Sequence, residues 1–315
     1  MLIDNFSTAA VLVTYNRVEL LKRAIDSLLM QSMPLKYIVV VNNNSSDGTQ
    51  EFLDKCTDER IKSIHLPENT GGAGGFHTGI DFASKLDITH VWIMDDDAFA
   101  NTDALEQLVL GQIFIQSKKI TSGFLCSNVV SDNNECMNVP AISKKRGGSG
   151  YFNWPEFLSE GIVGVDRATF VSIFLNISLV FELGLPVKEM FIWGDDSEYT
   201  WRISNKYQCF LIGKSVVNHK RVLAKSLSIV TEQNKARITW YKYLYRNNIY
   251  NIKTLGNKMD FIPYFYHVVN ELLKVIIYAK DYKIYKIKTL ISGLLSGFLF
   301  KPKIKYPTLK NSGLK

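Results

Sequence analysis

The stretch AAVLVTYNRVELLKRAIDSLL, residues 9–29, contains one complete passage from strand to helix and sets the fold class of the chain. Its first six residues are an uninterrupted apolar run of strand length, as a strand buried on both faces requires. Asn16 then stands where a helix N-cap belongs, with Glu19 three residues on in the spacing of a capping box. Beyond it Val18, Leu21, Ala24, Ile25, Leu28 and Leu29 make one helical stripe. The pattern repeats. YIVVV at 37–41 reads as a second strand, and Gly48 opens a second helix. Residues 61–66 read as a weaker third strand, 75–86 as a third helix and THVWIM at 89–94 as a fourth strand. Repeated β-α-β units predict an α/β, Rossmann-like architecture: a mostly parallel sheet flanked by helices.

Each strand is followed by a polar cluster: TYNR at 14–17, NNNSSD at 42–47, NTGGAGG at 69–75 and DDD at 95–97. Open α/β sheets bind ligands beyond the carboxyl ends of their strands, so the four clusters are expected to meet at one crevice. The glycines of the third cluster let backbone amides approach a pyrophosphate. Counted from Gly72, however, the third glycine of a dinucleotide fingerprint falls on His77, and there is no Gly-Lys-Ser/Thr of a P-loop. Nicotinamide dehydrogenases and ATPases are thereby disfavoured.

Asp95, Asp96 and Asp97 are the sharpest chemical signal. Adjacent carboxylates repel, and a fold keeps them together mainly around a cation. In an extended segment Asp95 and Asp97 point the same way, offering hard oxygen donors to Mg²⁺ or Mn²⁺. The alternative is an acidic turn capping the next helix through Asp97 or Asn101. A second acidic run, FIWGDDSEY at 191–199, has a carboxylate at a helix start beside other acids, a setting for a general base. It also fits a cap followed by an ion pair between Glu198 and Arg202. His219 follows a strand read at 209–217 and either completes a metal shell or is structural.

Composition bounds the rest. The chain has 315 residues, 46% hydrophobic and 21% charged, enough for one large α/β domain and an accessory segment. Cys56, Cys126, Cys136 and Cys209 form no Cys-x-x-Cys pair, so neither a zinc ribbon nor a redox pair is indicated, and a reduced cytoplasm suits them. The opening residues lack a basic segment followed by a long apolar one, so no signal peptide is expected. Residues 143–153, basic and glycine-rich, read as a mobile loop. The net charge of +7 is uneven. From Asn251 onward twelve lysines face only Asp260, Glu271 and Asp281, leaving the first 250 residues at −2. A nucleic-acid binder would not be charged this way. The apolar runs 261–279 and 289–300 read as helices lying in a membrane interface with lysines toward anionic lipid, or as a pair packed on the domain or on a second subunit. The expected division is 1–235 and 236–315.

Together these motifs resemble family 2 glycosyltransferases of the GT-A fold over roughly residues 9–250. VTYNR and VVVNNNSSDGT are similar to the family's nucleotide-binding strands, MDDDA to its Asp-x-Asp motif, WGDDSEY to the segment with the catalytic base and WYKYLYRNNIY to its Tyr-x-x-Arg-Asn signature. NTGGAGGF joined to MDDDA most resembles bacterial galactofuranosyltransferases, and rhamnosyltransferases share much of the pattern. The resemblance implies an inverting single displacement from UDP-galactofuranose to a glycan or lipid-linked glycan of the bacterial surface, or from dTDP-rhamnose. It implies a nucleotide-sugar pocket of Thr14, Tyr15, Arg17, Asn43, Asp47, Gly71, Gly72, Gly74, Asp95 and Asp96. Asn43 stands where the family often has aspartate. It further implies Asp95, Asp97 and His219 around Mn²⁺ or Mg²⁺, Asp196 as base with Asp195 second, and Trp193 and Glu198 toward the acceptor. The setting implied is the cytoplasmic face of the cell membrane, peripherally bound, with a homo-oligomer left open. Two other classes remain in view. A nucleotide-sugar pyrophosphorylase would want a Gly-rich signature with lysine after the first strand, where this chain has TYNR. A non-catalytic binder of the same fold would leave costly carboxylates idle.

Overall fold

The computed structural model describes residues 5–220 and 228–308. Strand β1 (Thr8–Thr14) leads to α1 (Val18–Leu29), β2 (Tyr37–Asn42), α2 (Thr49–Asp54), β3 (Ile61–His65), α3 (Gly71–Ala83) and β4 (His90–Asp95). In this half β3, β2, β1 and β4 are parallel neighbours. Val11 pairs with Val39 on one side and with Ile93 on the other. β1 is apolar on both faces because both are covered. Ala10 and Leu12 pack with Leu21, Ile25 and Leu28 of α1, whereas Ala9 and Val11 pack with Phe76, Ile80 and Ala83 of α3. Period-two alternation thus feeds two cores.

The second half is mixed. β5 (Ala98–Ala100), α4 (Ala104–Ser117), β6 (Ser122–Val130), β7 (Ala141–Ile142), β8 (Ile162–Arg167), β9 (Ile173–Asn176), α5 (Ile177–Leu183), α6 (Asp195–Ser204) and β10 (Gln208–His219) complete one sheet of order β3-β2-β1-β4-β9-β6-β10-β8-β7, with β5 on β10. β9 is antiparallel to both β4 and β6, and β10 is parallel to β6. Parallel repetition ends at β4 because the chain returns to the sheet centre through β9. Residues 143–153 form a hairpin bridged at Arg146 and Phe152, with Lys145 Nζ donating to the carbonyls of Ser204 and Tyr207.

Two local expectations are corrected. Asn16 does not cap α1: it lies at φ 54°, and its Oδ1 accepts from the Ser46 amide at 2.7 Å. The orphan amide of Val18 instead donates to Asp47 Oδ2 at 2.9 Å, so the second polar loop caps the first helix. The third helix starts at Gly71 rather than 75, and its glycines serve packing. A Cβ on Gly79 would lie 2.6 Å from Val11 Cγ1, so only glycine lets α3 rest this close to β1.

Toward the end of the chain, α7 (Lys235–Leu255), α8 (Phe261–Tyr278) and α9 (Lys283–Leu299) share an apolar cluster of Tyr241, Tyr245, Val268, Val275 and Leu290. No helix among the described residues is long and apolar enough to cross a membrane.

Candidate active site

At the carboxyl end of the sheet a cleft of about 550 Å³ is lined by the ends of β1, β2, β4 and β10, the start of α3, the loop before α6 and the start of α7. Asp95, Asp96 and Asp97 form one part of its wall. Arg17 Nη1 donates to Asp96 Oδ1 at 3.1 Å and to Asp97 Oδ2 at 2.8 Å. His219, at the end of β10, meets Asp97 Oδ1 through Nε2 at 3.0 Å, and its Nδ1 faces Asn138 Oδ1 at 2.8 Å. β5 pairs with β10 at Ala98 and His219, which sets the histidine beside the triple aspartate although more than a hundred residues separate them.

One donor atom each from Asp95, Asp97 and His219 lies within 4.8 Å of the others. Two carboxylate oxygens and an imidazole nitrogen suit Mn²⁺ or Mg²⁺. The electrostatics point the same way. Burial and then the charge of Asp97 push the Asp95 carboxyl up to about 7, and burial pushes Asp96 up to about 6. Burial also acts on Asp97, but the hydrogen bond and charge of His219, with Arg17, outweigh it and hold that group below the usual carboxylate range. A divalent ion held by these groups would relieve the repulsion and would have to displace a proton from Asp95. The melting-temperature increase produced by Mn²⁺ should therefore be larger at pH 7.5 than at pH 5.5, with apparent affinity rising roughly 20-fold. Equal increases at both pH values, read by differential scanning fluorimetry, would contradict this ligand set.

The facing wall is built by a strained loop. Phe191 (φ 64°, ψ −64°), Trp193 (φ 59°) and Gly194 (φ 101°) turn the chain sharply into α6, whose first residues are Asp195 and Asp196. Such backbone persists only where its surroundings over-determine it. α7 does this: Asn247 Nδ2 donates to the carbonyls of Met190, Ile192 and Trp193, Arg246 Nη2 to those of Glu189 and Met190, and Asn251 Nδ2 to that of Gly194. The loop in turn presses on α3. Ala73 N donates to Phe191 O, and a Cβ on Gly71 (φ +72°) would overlap that carbonyl at 2.0 Å. Burial and the neighbouring acid drive the Asp195 carboxyl well above its ordinary value, and burial raises Asp196. The charge of Asp196 is also felt at Asp95, across the same cleft.

Thr14, Tyr15, Asn43, Gly71, Gly72 and Trp193 also line the cleft. Asn43 is occupied structurally: its Nδ2 donates to Gly71 O, and its Oδ1 accepts from the amide and hydroxyl of Thr70. Three expected residues do not line it. Asp47 spends its carboxylate on Val18 and Thr49 as a cap. Gly74 faces Thr70. Glu198 is 1% exposed, with both oxygens accepting from Arg202 at 2.9 Å, so the ion-pair alternative describes it. Conversely, Phe170 and Arg237 enter the lining unanticipated, and Asn69, Phe191 and Trp240 enter it from quoted motifs in which they had been given no role. Phe191 adjoins the recognised WGDDSEY and Trp240 opens the recognised WYKYLYRNNIY, whereas Phe170 and Arg237 carried no signal of their own.

Residues 9–111 match the family model described as glycosyl transferase family 2. Among curated relatives, the chain is 34% identical over 103 residues to galactofuranosyltransferase GlfT1 of Mycolicibacterium smegmatis, covering 32% of this chain and 33% of that protein. It is 25% identical over 203 residues to GlfT1 of Mycobacterium tuberculosis, 62% of this chain and 64% of that one. The chain thus spans a third to just under two thirds of the length of these relatives. Among solved structures, GalNAc-T7 with UDP, GalNAc and Mn²⁺ superposes at TM-score 0.60 and 16% identity over 90% of this chain and 55% of its own. The mannosyltransferase PcManGT of Pyrobaculum calidifontis, with GDP-Man and Mn²⁺, does so at 0.53 and 16% over 94% and 76%. Residues 9–111 are therefore similar to glycosyl transferase family 2, and the chain shares the GT-A fold of the glycosyltransferase structures it superposes on.

Proposed function

We propose that this chain is an inverting glycosyltransferase that moves galactofuranose from UDP-galactofuranose to a hydroxyl of a glycan or lipid-linked glycan in bacterial surface-polysaccharide synthesis. The observation that carries the proposal is the pairing, in one cleft, of an Asp-Asp-His donor set with a second buried acid pair at the start of α6. Galactofuranose as the sugar is supported by the named relatives and by the joined NTGGAGGF and MDDDA motifs.

Thr14, Tyr15, Arg17, Asn43, Gly71, Gly72 and Asp96 line the side on which the nucleotide sugar is proposed to bind. Asp95, Asp97 and His219 would hold Mn²⁺ or Mg²⁺. When bound, such a cation supplies positive charge to the donor's diphosphate. Arg17, anchored by Asp96 and Asp97, and Arg237, ion-paired at 3.3 Å to Glu232, add cationic side chains to the cleft. Asp196 takes the proton of the acceptor hydroxyl as its oxygen attacks the anomeric carbon. The bond from that carbon to the diphosphate oxygen breaks, and the electron pair leaves with the nucleotide. The proton stays on Asp196. A carboxyl raised by burial is suited to keep it. The Asp195 carboxyl beside it is also raised, by burial and by the charge of Asp196, so the two acids titrate as a pair. Trp193, packed against Trp240 and Tyr241 at 6.4 and 5.0 Å, offers an aromatic face to a sugar.

Mass spectrometry of mixtures with UDP-galactofuranose, UDP-galactopyranose, UDP-glucose and dTDP-rhamnose tests the donor. Turnover is expected with UDP-galactofuranose alone, and to stop in excess EDTA. Preference for dTDP-rhamnose would overturn the donor and keep the mechanism. Full activity in EDTA would remove the metal set.

A further inference from the structure

The helices at the end of the chain are packed with an apolar side turned outward. α9 is clamped to α7 through its small residues: a Cβ on Gly293 would lie 2.8 Å from Lys242 O, and one on Gly297 2.6 Å from Ile249 Cβ. α8 is the outer helix and buries only Val268 and Val275. Ile262, Phe265, Val269, Leu273, Ile276 and Ile277 recur at three- and four-residue steps along it, all at least 40% exposed. A soluble surface helix puts that stripe on its own core. This one does not.

Lysines outnumber acids around α8, with Asp281 the exposed carboxylate between Lys280 and Lys283. Lys274, Lys280, Lys283 and Lys288 are exposed and enter no ion pair among the described residues. Glu271 is turned inward, accepting from Tyr245 Oη at 2.9 Å. We propose that the outer face of α8 with its flanking lysines is a docking surface for an anionic lipid bilayer, with the helix lying in the headgroup boundary. An apolar stripe inserts there while lysines meet acidic headgroups. Charge decides between this occupant and a second copy. A two-fold contact through this face would bring together two copies of a patch in which exposed lysines outnumber acids, because both partners present the same surface. A bilayer supplies the opposite sign.

The face also has a position relative to the cleft. Val275 and Ala279 share one cluster with Tyr241 and Ile229, and Trp193 packs against that cluster. Lys286 Nζ donates to Val230 O at 2.9 Å and ties α9 to the segment leading to Arg237. Docking through α8 therefore brings the Trp193 wall close to the membrane. That orientation, which rests on the proposed function, suits an acceptor held in the bilayer by its lipid.

Flotation of the full chain with vesicles of equal parts phosphatidylcholine and phosphatidylglycerol tests the surface. The chain is expected to float at low salt, and at least about tenfold less with pure phosphatidylcholine vesicles or at high salt. Phe265→Ser combined with Leu273→Ser and Ile277→Ser is expected to reduce flotation at least about tenfold with an unchanged circular dichroism spectrum. Failure of the unaltered chain to float, or equal flotation of the variant, would overturn the proposal. So would a dimer in light scattering that the variant dissociates while neither form binds vesicles. Metal-dependent donor hydrolysis measured without vesicles reads the catalytic assignment separately, so lost docking with intact hydrolysis sinks the surface alone.

Discussion

Asp196→Asn is expected to lower the transfer rate by about 10³-fold while donor affinity stays within a factor of about two. The amide keeps the shape of the side chain and can still accept the 2.6 Å hydrogen bond from the Ser197 amide, so the start of α6 should persist. What it loses is the ability to take a proton. A pure loss of rate at constant donor binding, read by steady-state kinetics and calorimetry with UDP, is the signature of a group used only in the transition state. The rate of the unaltered enzyme should also fall on acidification at a higher pH than an ordinary carboxylate would dictate, because burial raises Asp196. Full turnover by Asp196→Asn would move the base elsewhere, and Asp195→Asn is then the comparison to make.

Asp95→Asn separates catalysis from stability by sign. It removes one of the three donors, and kcat/KM is expected to fall by about 10³-fold, with Mn²⁺ no longer raising the melting temperature. Metal-free stability should move the other way. Asp95 titrates near 7 in the folded chain, far above its unfolded value. Stability linked to a raised carboxyl is complete below the unfolded pKa and is lost as pH rises through the folded one. At pH 7.5 the unaltered metal-free protein carries that cost, and Asn at 95 removes it. The variant should gain on the order of 2 kcal/mol at pH 7.5 and nearly nothing at pH 4. Chemical denaturation with and without Mn²⁺ checks both halves. Reduced metal-free stability at pH 7.5 would mean that Asp95 is held by favourable contacts rather than strained by repulsion.

β1, β2 and β4 of the parallel half were legible because they are buried on both faces. A run such as YIVVV has no other stable place, and its register follows from the alternation of Val39 and Val40 between two cores. The return through β9 was not legible, since four residues, IFLN, are too short for periodicity to separate a strand from a loop. The start of α1 misled for a related reason. A capping box is a local pattern, but the acceptor that satisfies Val18 comes from Asp47, on another loop.

The same division runs through the cleft. Asp95 and Asp97 lie two residues apart, and Asp195 and Asp196 are adjacent, so local sequence by itself determined that each acid cluster exists. Only the tertiary structure decided that they line one cavity, that His219 arrives through the β5–β10 pairing, and that Arg237 and Trp240 reach the site from α7. It also decided that Glu198 and Asp47 are consumed elsewhere. The physical reason is range. Caps, stripes and paired acids are set by neighbours along the chain, whereas a carboxylate's exposure, partners and pKa depend on which distant backbone folds against it.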